Sequence, residues 1–385
     1  MTHKILVVDD EPDLEILVRQ KFRKQIRDKE FEFFFAHDGV EALEKIRQEP
    51  EIDVVLSDIN MPVMDGLTLL SRLNETNKDL KAVIVSAYGD MQNIRTAMNR
   101  GAFDFLTKPI DFQDFETTIN KTIEESAALR QGAQARQELT AIQHELGIAS
   151  QIQQSMLPKV FPPFPGRTEF SLYATMFAAK EVGGDFYDFF LIDQNRLGFV
   201  IGDVSGKGVP AAIFMAVSRT LIRATALEGL DPGQCLNYVN TALSADSDTA
   251  MFVTTFYGVL HTDTGKVEYA VGGHNPPFVL KKGGVEELAV TAGIVVGVLS
   301  DARYETASLQ LAPGEAIVLY TDGVTEALDA SEVLFSEERL EELLGEVKDQ
   351  PTEEIVRRVV GDVRRHAGGV PQSDDVTVLA IRYNG

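Results

Sequence analysis

The chain has 385 residues, one cysteine and a formal net charge of −23, which results from 36 basic and 59 acidic side chains. The single cysteine excludes an intrachain disulfide and a zinc–thiolate cluster, and the acidic balance disfavours binding to nucleic acid or to a membrane. The length indicates two or three domains at roughly 150 residues each. Since we find neither a signal peptide nor an apolar run near 20 residues, we expect a cytoplasmic protein.

Residues 4–122 alternate short apolar runs with amphipathic helical stretches. The runs cover residues 5–8, 31–36, 54–56, 82–85 and 103–106. Their short length and β-branched content predict five buried parallel strands. We therefore expect a doubly wound α/β domain over residues 1–122, with strand order 2-1-3-4-5. In such a sheet, functional groups gather beyond the carboxyl ends of the strands.

Polar residues follow these predicted strands. Asp9 and Asp10 end the first run, Asp58 the third, Ser86 the fourth and Lys108 the fifth. Three carboxylates in one crevice raise one another's pKa unless a cation lies among them, and oxygen ligands suit Mg²⁺. A lysine and a hydroxyl nearby complete a phosphate site. This set is able to move a phosphoryl group onto a carboxylate.

The motifs VVDDEP, LSDINMPVMDG, SAYGD and FLTKPI resemble the CheY-like receiver domain of two-component response regulators. The resemblance implies that Asp58 is the phosphoacceptor. It also implies that Asp10, Asp58 and the backbone carbonyl of Asn60 bind Mg²⁺, with Asp9 contributing through water.

The same resemblance assigns Ser86 and Lys108 to the phosphoryl oxygens and implies a cis bond between Lys108 and Pro109. Phe105 stands where receivers place an aromatic switch residue. A core position is an equal alternative for Phe105, because aromatic residues in strands are commonly buried.

Residues 116–156 are rich in Glu, Gln, Ala and Arg and contain no proline. Apolar residues recur there at 3-4 spacing, namely Leu139, Ile142, Leu146, Ala149 and Met156. The pattern predicts a long helix with a narrow apolar seam, which Gln153 interrupts, so that any coiled coil is weak by itself. Four prolines between residues 158 and 165 end the helix. We interpret residues 123–160 as a helical connector.

Residues 161–385 combine longer alternating strands with separate helical blocks, which are residues 210–227, 232–243, 337–344 and 352–366. Turn signals separate the strands near residues 193–195, 264–265 and 282–284. Antiparallel strands with separate blocks of helix indicate an α+β domain.

Aspartates recur at the edges of these strands, in Gly-rich or polar turns. They are Asp185 in VGGDFYDFF, Asp203 in IGDVSGKG, Asp322 in LYTDGVTEA, and Asp374 and Asp375 in SDDVTVLAIR. Carboxylates that converge from four strand ends, without cysteines or a His-rich motif, suit two hard cations such as Mn²⁺ or Mg²⁺. Such a pair would activate a water for in-line attack on a phosphate.

The order VGGDFYD, GDVSGKG, GGHNPP, YTDG and DDVT resembles the PPM (type 2C) serine/threonine phosphatases, in particular their bacterial sporulation and general-stress branch. The resemblance implies that Asp203 bridges both metals. It implies that Asp185 and the Val204 carbonyl complete one metal site, and that Asp322 and Asp374 complete the other. Asp375 is not expected to be a ligand.

Three further residues of these motifs have open interpretations. His274 and Asn275 are candidates for the substrate groove, although a histidine in a turn is equally compatible with a structural role. Lys207 either meets the substrate phosphate or is solvated, and we favour the solvated position.

The combined interpretation is a two-component response regulator. A sensor histidine kinase would phosphorylate Asp58, and the connector, in a homodimer, would transmit the change to the phosphatase. The resemblance implies a phosphorylated anti-sigma-factor antagonist as substrate. One alternative is a catalytically weak, phosphatase-like adaptor that binds a sigma-pathway protein, and a connector that is only a spacer is another. A DNA-binding regulator is excluded because the chain lacks a basic recognition helix.

Overall fold

The computed structural model describes residues 2–77, 80–87, 89–245, 251–290 and 293–385, with the backbone alone at 133–134. The chain divides into two compact units, residues 1–142 and 143–385. Each unit has its own hydrophobic core.

The first unit alternates strands and helices. Its elements in chain order are β1 (His3–Val8), α1 (Pro12–Lys21), α2 (Arg23–Arg27), β2 (Phe31–Ala36), α3 (Gly39–Gln48), β3 (Val54–Asp58), α4 (Gly66–Thr76), β4 (Lys81–Ala87), α5 (Met91–Asn99), β5 (Asp104–Lys108) and α6 (Phe112–Met156). The five strands are parallel and lie in the order β2-β1-β3-β4-β5. The predicted doubly wound sheet and its strand order are confirmed.

Both faces of this sheet are covered. Ile5 and Val7 of β1 pack on one side against Phe22 and Phe115, whereas Leu6 packs on the other side in a second apolar cluster. A strand buried on both faces needs apolar residues at every position, which is why the strands are visible as continuous runs in the sequence. The carboxyl ends of the strands are the places where polar residues can begin.

Helix α6 starts on the sheet and is 45 residues long. Phe115, Ile119 and Ile123 are buried in the first unit, and the Arg130 guanidinium donates to Asp53 Oδ1 at 2.8 Å and to the Ile52 carbonyl at 3.1 Å. The boundary between the two units, at residues 142/143, falls inside this helix. The predicted connector is therefore the continuation of the last receiver helix and not a separate helix.

The second unit contains two antiparallel sheets. Its strands are β6 (Phe170–Phe177), β7 (Phe186–Leu191), β8 (Arg196–Val204), β9 (Val253–His261), β10 (Lys266–Gly272), β11 (Phe278–Lys281), β12 (Gly284–Glu287), β13 (Ala307–Gln310), β14 (Ala316–Tyr320) and β15 (Val376–Tyr383). Its helices are α7 (Val209–Leu227), α8 (Pro232–Ala245), α9 (Asp322–Thr325), α10 (Glu337–Val347) and α11 (Thr352–Ala367). The sheet orders are β13-β10-β9-β8-β7 and β12-β11-β14-β15-β6.

The two sheets face each other. Ile317 and Leu319 of β14 belong to the core that includes the first sheet, while Val318 and Tyr320 pack with α10 and α11 on the outer side. Helices α7 and α8 contact the first sheet. This α+β sandwich matches the predicted fold class of the C-terminal part.

The expectation that no apolar run approaches 20 residues needs correction here. Helix α7 is 19 residues long and, by length and composition, apolar enough to cross a membrane, with about a third of it buried. Its side chains Ala211, Met215 and Ile222 are fully buried in the core of the second unit, and Arg219 forms a 2.8 Å ion pair with buried Asp188. These contacts are those of a core helix.

Candidate functional site

The receiver acids meet at the carboxyl edge of the parallel sheet. Asp9 follows β1 directly and Asp58 ends β3. Asp9, Asp10 and Asp58 each offer a carboxylate oxygen, and these oxygens lie within 4.8 Å of one another. Asp9 and Asp58 are buried, whereas Asp10 is exposed. This donor set of oxygen atoms fits Mg²⁺.

A lysine neutralises part of this charge. Lys108 Nζ lies 2.6 Å from Asp58 Oδ2 and 2.9 Å from Asp9 Oδ2. Burial raises the pKa of Asp9. Burial alone would lower the pKa of Lys108, but its hydrogen bonds to Asp58 and Asp9 raise that pKa above its ordinary value. The ammonium therefore stays charged and is fixed between the two carboxylates.

Ser86 and Asn60 lie along the same edge, whereas Phe105 lies near the start of β5. Ser86 is buried in β4, and its hydroxyl has no hydrogen-bond partner among the described residues. The backbone amide of Asn60 donates to Asp58 Oδ1 at 3.4 Å. The Lys108–Pro109 bond is cis. Phe105 is 38% exposed, which argues against the core alternative. Tyr88 of the SAYGD motif lies outside the described residues.

A glycine allows β3 and α4 to approach closely at this site. A Cβ atom on Gly66 would lie 2.0 Å from the Asp58 carbonyl oxygen. Any side chain at this position would displace the strand end that carries Asp58. The glycine of the MDG motif is thus a steric requirement for the position of Asp58.

The C-terminal acids come from both sheets. Asp185 precedes β7, Asp203 lies near the end of β8, Asp322 opens α9 after β14, and Asp374 stands just before β15. The pairing of Phe186 with Gly202 places Asp185 beside Asp203, one position further along the strands. The four predicted carboxylates thus converge as adjacent strand ends.

The electrostatics show that these groups are close. Burial, together with the charge of Asp322, raises the pKa of Asp203 to about 7. Burial and the charges of Asp203 and Asp375 raise the pKa of Asp185 well above its ordinary value. Burial, Glu326 and Asp374 also raise the pKa of Asp322. Carboxylates that are held together and partly dehydrated in this way need positive charge among them.

The C-terminal set is wider than the receiver set. Within the described residues, three acids with ligand oxygens inside 4.8 Å occur only in the receiver. The C-terminal acids nevertheless offer only carboxylate oxygens, which hard divalent cations prefer as ligands. The donor chemistry of Asp185, Asp203, Asp322 and Asp374 therefore fits two hard divalent cations.

Two threonines orient Asp185. The hydroxyls of Thr321 and Thr377 donate to Asp185 Oδ2 at 2.7 and 2.6 Å, respectively. Sequence reasoning missed both threonines. Their signal was present, since Thr321 directly precedes Asp322 and Thr377 lies two residues after Asp375 in the motifs already singled out.

Asp375 is used within the fold. Its carboxylate accepts hydrogen bonds from the backbone amides of Ala179 at 2.8 Å, Gly184 at 2.7 Å and Asp185 at 3.2 Å. Both carboxylate oxygens thus order the loop that carries Asp185. This contact pattern gives a physical reason for setting Asp375 apart from the predicted ligands.

Gln153, which interrupts the apolar seam, forms hydrogen bonds that the seam pattern did not predict. The buried amide of Gln153 donates to the Gly183 carbonyl at 2.5 Å and accepts from the Gly183 amide at 3.0 Å. Gly183 and Gly184 precede Asp185, so the end of α6 is bonded directly to the loop of the acid site. A polar residue where the heptad pattern demands an apolar one was the available signal.

Lys207 is exposed, and it also contacts the acid site. Its Nζ lies 2.7 Å from Asp374 Oδ2 and donates to the Ser373 carbonyl at 2.5 Å. The hydrogen bond to Asp374 raises the pKa of Lys207.

The predicted substrate groove is corrected for His274. Its imidazole is only 6% exposed, Nδ1 is 2.9 Å from Thr254 Oγ1, and burial lowers its pKa to about 4. His274 is therefore a neutral, buried residue, whereas Asn275 is half-buried.

The Val204 carbonyl faces the acid loop, because a Cβ on Gly184 would lie 2.8 Å from it.

The chain thus joins a receiver fold with a cluster of acids at its sheet edge to a PP2C-like α+β sandwich. A family model for the response regulator receiver domain matches residues 5–120, and a model for stage II sporulation protein E (SpoIIE) matches residues 193–384. The chain belongs to the response regulators that join a receiver domain to a SpoIIE-type phosphatase domain.

Individual relatives cover the two parts. Protein IcfG of Synechocystis is 33% identical over 62% of this chain, and phosphoserine phosphatase RsbU of Bacillus subtilis is 29% identical over 63% of it. The chain spans 42% of IcfG and 70% of RsbU. Sporulation initiation phosphotransferase F of B. subtilis is 31% identical over an alignment that includes 31% of this chain and 94% of that protein.

A solved structure supports the fold of the second unit. The SiaA-PP2C domain of Pseudomonas aeruginosa aligns with 64% of this chain and 98% of its own length, at a TM-score of 0.58 and 24% identity. This similarity shows a shared PP2C-type fold.

The acid cluster predicts a pH-dependent stability in the absence of divalent cations. The folded-state pKa of Asp203, about 7, is above its unfolded value, so the folded protein holds a proton that it loses as pH rises. Asp185 shifts in the same direction. His274 partly opposes this trend near pH 6.5, because burial lowers its folded-state pKa to about 4 while the unfolded imidazole is still about half protonated there, but this contribution fades within about one pH unit. The melting temperature of the second unit in EDTA should therefore fall between pH 6.5 and pH 8, as measured by calorimetry.

The matched variants isolate the cause. Asp203→Asn should flatten the pH dependence in EDTA, whereas Asp263→Asn, at an exposed turn, should retain it. Saturating Mn²⁺ should abolish the fall in the unmodified chain. A melting temperature in EDTA that is constant across this range would contradict the proposed burial of these carboxylates.

Proposed function

We propose that phosphorylation of Asp58 controls a metal-dependent protein serine/threonine phosphatase in the same chain. The observation that carries this proposal is the presence of two separate acid constellations, each with an ammonium bound to a carboxylate, on two different folds. The receiver set is Asp9, Asp10 and Asp58 with Lys108. Asp374 of the second set binds Lys207.

In the receiver, the nucleophile is a carboxylate oxygen of Asp58. It attacks the phosphorus of a phosphohistidine on a sensor kinase, so that a P–O bond forms while the P–N bond breaks and the electron pair leaves with the imidazole. Mg²⁺ bound by Asp10, Asp58 and the Asn60 carbonyl would neutralise the charge that develops on the phosphoryl group. Lys108 is already in contact with Asp58 at 2.6 Å, and the buried Ser86 hydroxyl is free to donate to a phosphoryl oxygen.

In the second unit, Mn²⁺ or Mg²⁺ would supply an activated water and a clamp for the substrate phosphate. The protein side chains prepare that chemistry. Asp203 lies beside Asp185 across the β7–β8 pair, and burial together with the charge of Asp322 raises its pKa. Thr321 and Thr377 fix Asp185, with Oγ–Oδ2 distances of 2.7 and 2.6 Å, and Asp375 orders the backbone that carries it. Such prior orientation lowers the reorganisation needed during the reaction.

The substrate that we propose is a phosphoserine or phosphothreonine protein of the anti-sigma-factor antagonist type, with the whole system in the cytoplasm. The names of two relatives support the phosphoserine class, since RsbU and RsbP of B. subtilis are both described as phosphoserine phosphatases, at 29% and 24% identity. The acidic charge of the chain, −23, favours protein partners over nucleic acid.

Helix α6 is the proposed route of control. Arg130 holds it to the receiver through Asp53, and Gln153 bonds its far end to the loop of Asp185 through Gly183. Between these contacts, Leu139 and Ile142 are 56% and 54% exposed. We propose that these apolar side chains pair with those of a second copy in a homodimer, because apolar residues at heptad spacing are stabilised by a partner helix.

Substitution of the central acid tests the chemistry. Asp203→Asn should reduce the Mn²⁺-dependent hydrolysis of a phosphoserine peptide by more than about 100-fold, since even residues behind metal ligands contribute 10- to 100-fold. Phosphate release is the measurement, and Asp263→Asn is the control at an exposed turn. Undiminished hydrolysis by Asp203→Asn would refute the assignment.

Comparison with and without a small-molecule phosphodonor tests the control. In the unmodified chain, acetyl phosphate should change the phosphatase rate by about fivefold or more, within the usual range of coupling between sites. Asp58→Ala should keep one rate in both conditions because the acceptor oxygen is missing. Equal phosphatase rates in the unmodified chain and in Asp58→Ala, each with and without acetyl phosphate, would contradict the proposed role of the receiver.

Charge reversal in the apolar seam tests the dimer. Ile142→Glu should shift the protein from dimer to monomer in sedimentation equilibrium, because a carboxylate would face its own copy across the seam. Ala141→Glu adds the same charge one residue away on another face of α6 and should leave the mass unchanged. A monomeric unmodified chain, or a dimer that tolerates Ile142→Glu, would contradict dimerisation through the apolar seam.

A further inference from the structure

Lys207 has a defined position in the acid site. It lies in the turn after β8, between Gly206 and Gly208, whose φ angles are +87° and +81°. Glycine adopts this left-handed backbone without strain. The turn places Lys207 Nζ 2.7 Å from Asp374 Oδ2 and 2.5 Å from the Ser373 carbonyl. Two different acceptors therefore localise the ammonium at the entrance to the carboxylate cluster.

The position of the turn does not depend on the Lys207 side chain. The Ser205 amide donates to the Phe252 carbonyl at 2.9 Å, and the Phe252 amide donates to the Ser205 hydroxyl at 3.0 Å. These bonds attach the turn to the start of β9. The Lys207 side chain is therefore not needed to hold the turn, and a substitution of Lys207 leaves these two hydrogen bonds in place.

The charge balance explains why an ammonium binds here. Besides Asp374, which Lys207 Nζ contacts at 2.7 Å, Asp322 and Asp375 add negative charge at the ends of the neighbouring strands β14 and β15. An ammonium on a flexible four-carbon stem is the kind of cation that can leave such a site when a stronger cation arrives. The Lys207 side chain is 40% exposed, so it has space to move without repacking the core.

We propose that Lys207 is an exchangeable counter-ion of Asp374. In the metal-free protein the ammonium occupies the carboxylate, and a divalent cation at Asp322 and Asp374 displaces it. The displaced ammonium then binds the phosphate of the substrate, a step that rests on the proposed phosphatase function. Lys207 would thereby tie phosphate binding to metal occupancy, since it becomes available to the phosphate only after Asp374 has taken a metal.

Two affinities measured on the full chain test this exchange. Lys207→Met should bind Mn²⁺ more tightly at one class of sites, by about tenfold, which corresponds to the loss of one competing charged hydrogen bond. The electron paramagnetic resonance signal of free Mn²⁺ measures this affinity. The receiver site is unchanged in the variant and provides an internal reference.

The second affinity is that of inorganic phosphate for the Mn²⁺-saturated chain, measured by calorimetry. Lys207→Met should weaken it by about tenfold, and Lys207→Arg should retain most of it because the positive charge remains. Lys282→Met, which removes a charge from an exposed turn, should leave both affinities unchanged.

The two affinities distinguish the exchange of Lys207 from the proposed phosphatase activity. An unchanged Mn²⁺ affinity in Lys207→Met would overturn the competition for Asp374, and an unchanged phosphate affinity would overturn the second position of the ammonium. Neither measurement needs turnover. A chain that hydrolyses no phosphoprotein would therefore contradict the proposed function while the exchange is still decided by the two affinities.

Discussion

The cost of holding carboxylates together governs the architecture of both units. In the receiver, Lys108 lies 2.6 Å from Asp58, and in the second unit Lys207 lies 2.7 Å from Asp374. Both sites stand at strand ends, where a sheet brings distant parts of the chain side by side. The close glycine at Gly66 and the hydrogen bonds around Asp185 serve this arrangement. Acids at strand ends with a lysine ammonium in contact with one of them are the common element of two unrelated folds.

The receiver was almost completely predictable from the sequence. Its strands are buried on both faces, so that they appear as short apolar runs, and the run at residues 31–36 coincides with β2. The acids follow these runs directly, which reveals the site. The start of the connector was not predictable, because α6 continues from Phe112 to Met156 without a proline or a capping break. A continuous helix gives no local signal of the point where one domain ends.

The positions of the acids in the second site were predictable, but the hydrogen bonds that orient them were not. Asp185, Asp203, Asp322 and Asp374 lie in recognisable turns, whereas the bonds that orient them join residues far apart in sequence. Thr377 reaches Asp185 across 192 positions, and Asp375 reaches Gly184 across 191. His274 illustrates the converse, since a motif position suggested a surface role and the packing around it gives a buried one. Burial depends on the tertiary fold, which a local pattern does not contain.

The continuity of α6 has a consequence for its stability. Its first part contributes Phe115, Ile119 and Ile123 to the core of the first unit, and its end is bonded through Gln153 to Gly183 of the second unit. Most of the stability of a helix in a protein comes from the core against which it packs. Unfolding of either core would therefore fray α6 from that side, and the exposed stretch around Leu139 and Ile142 depends most on the intrinsic helix propensity of its residues.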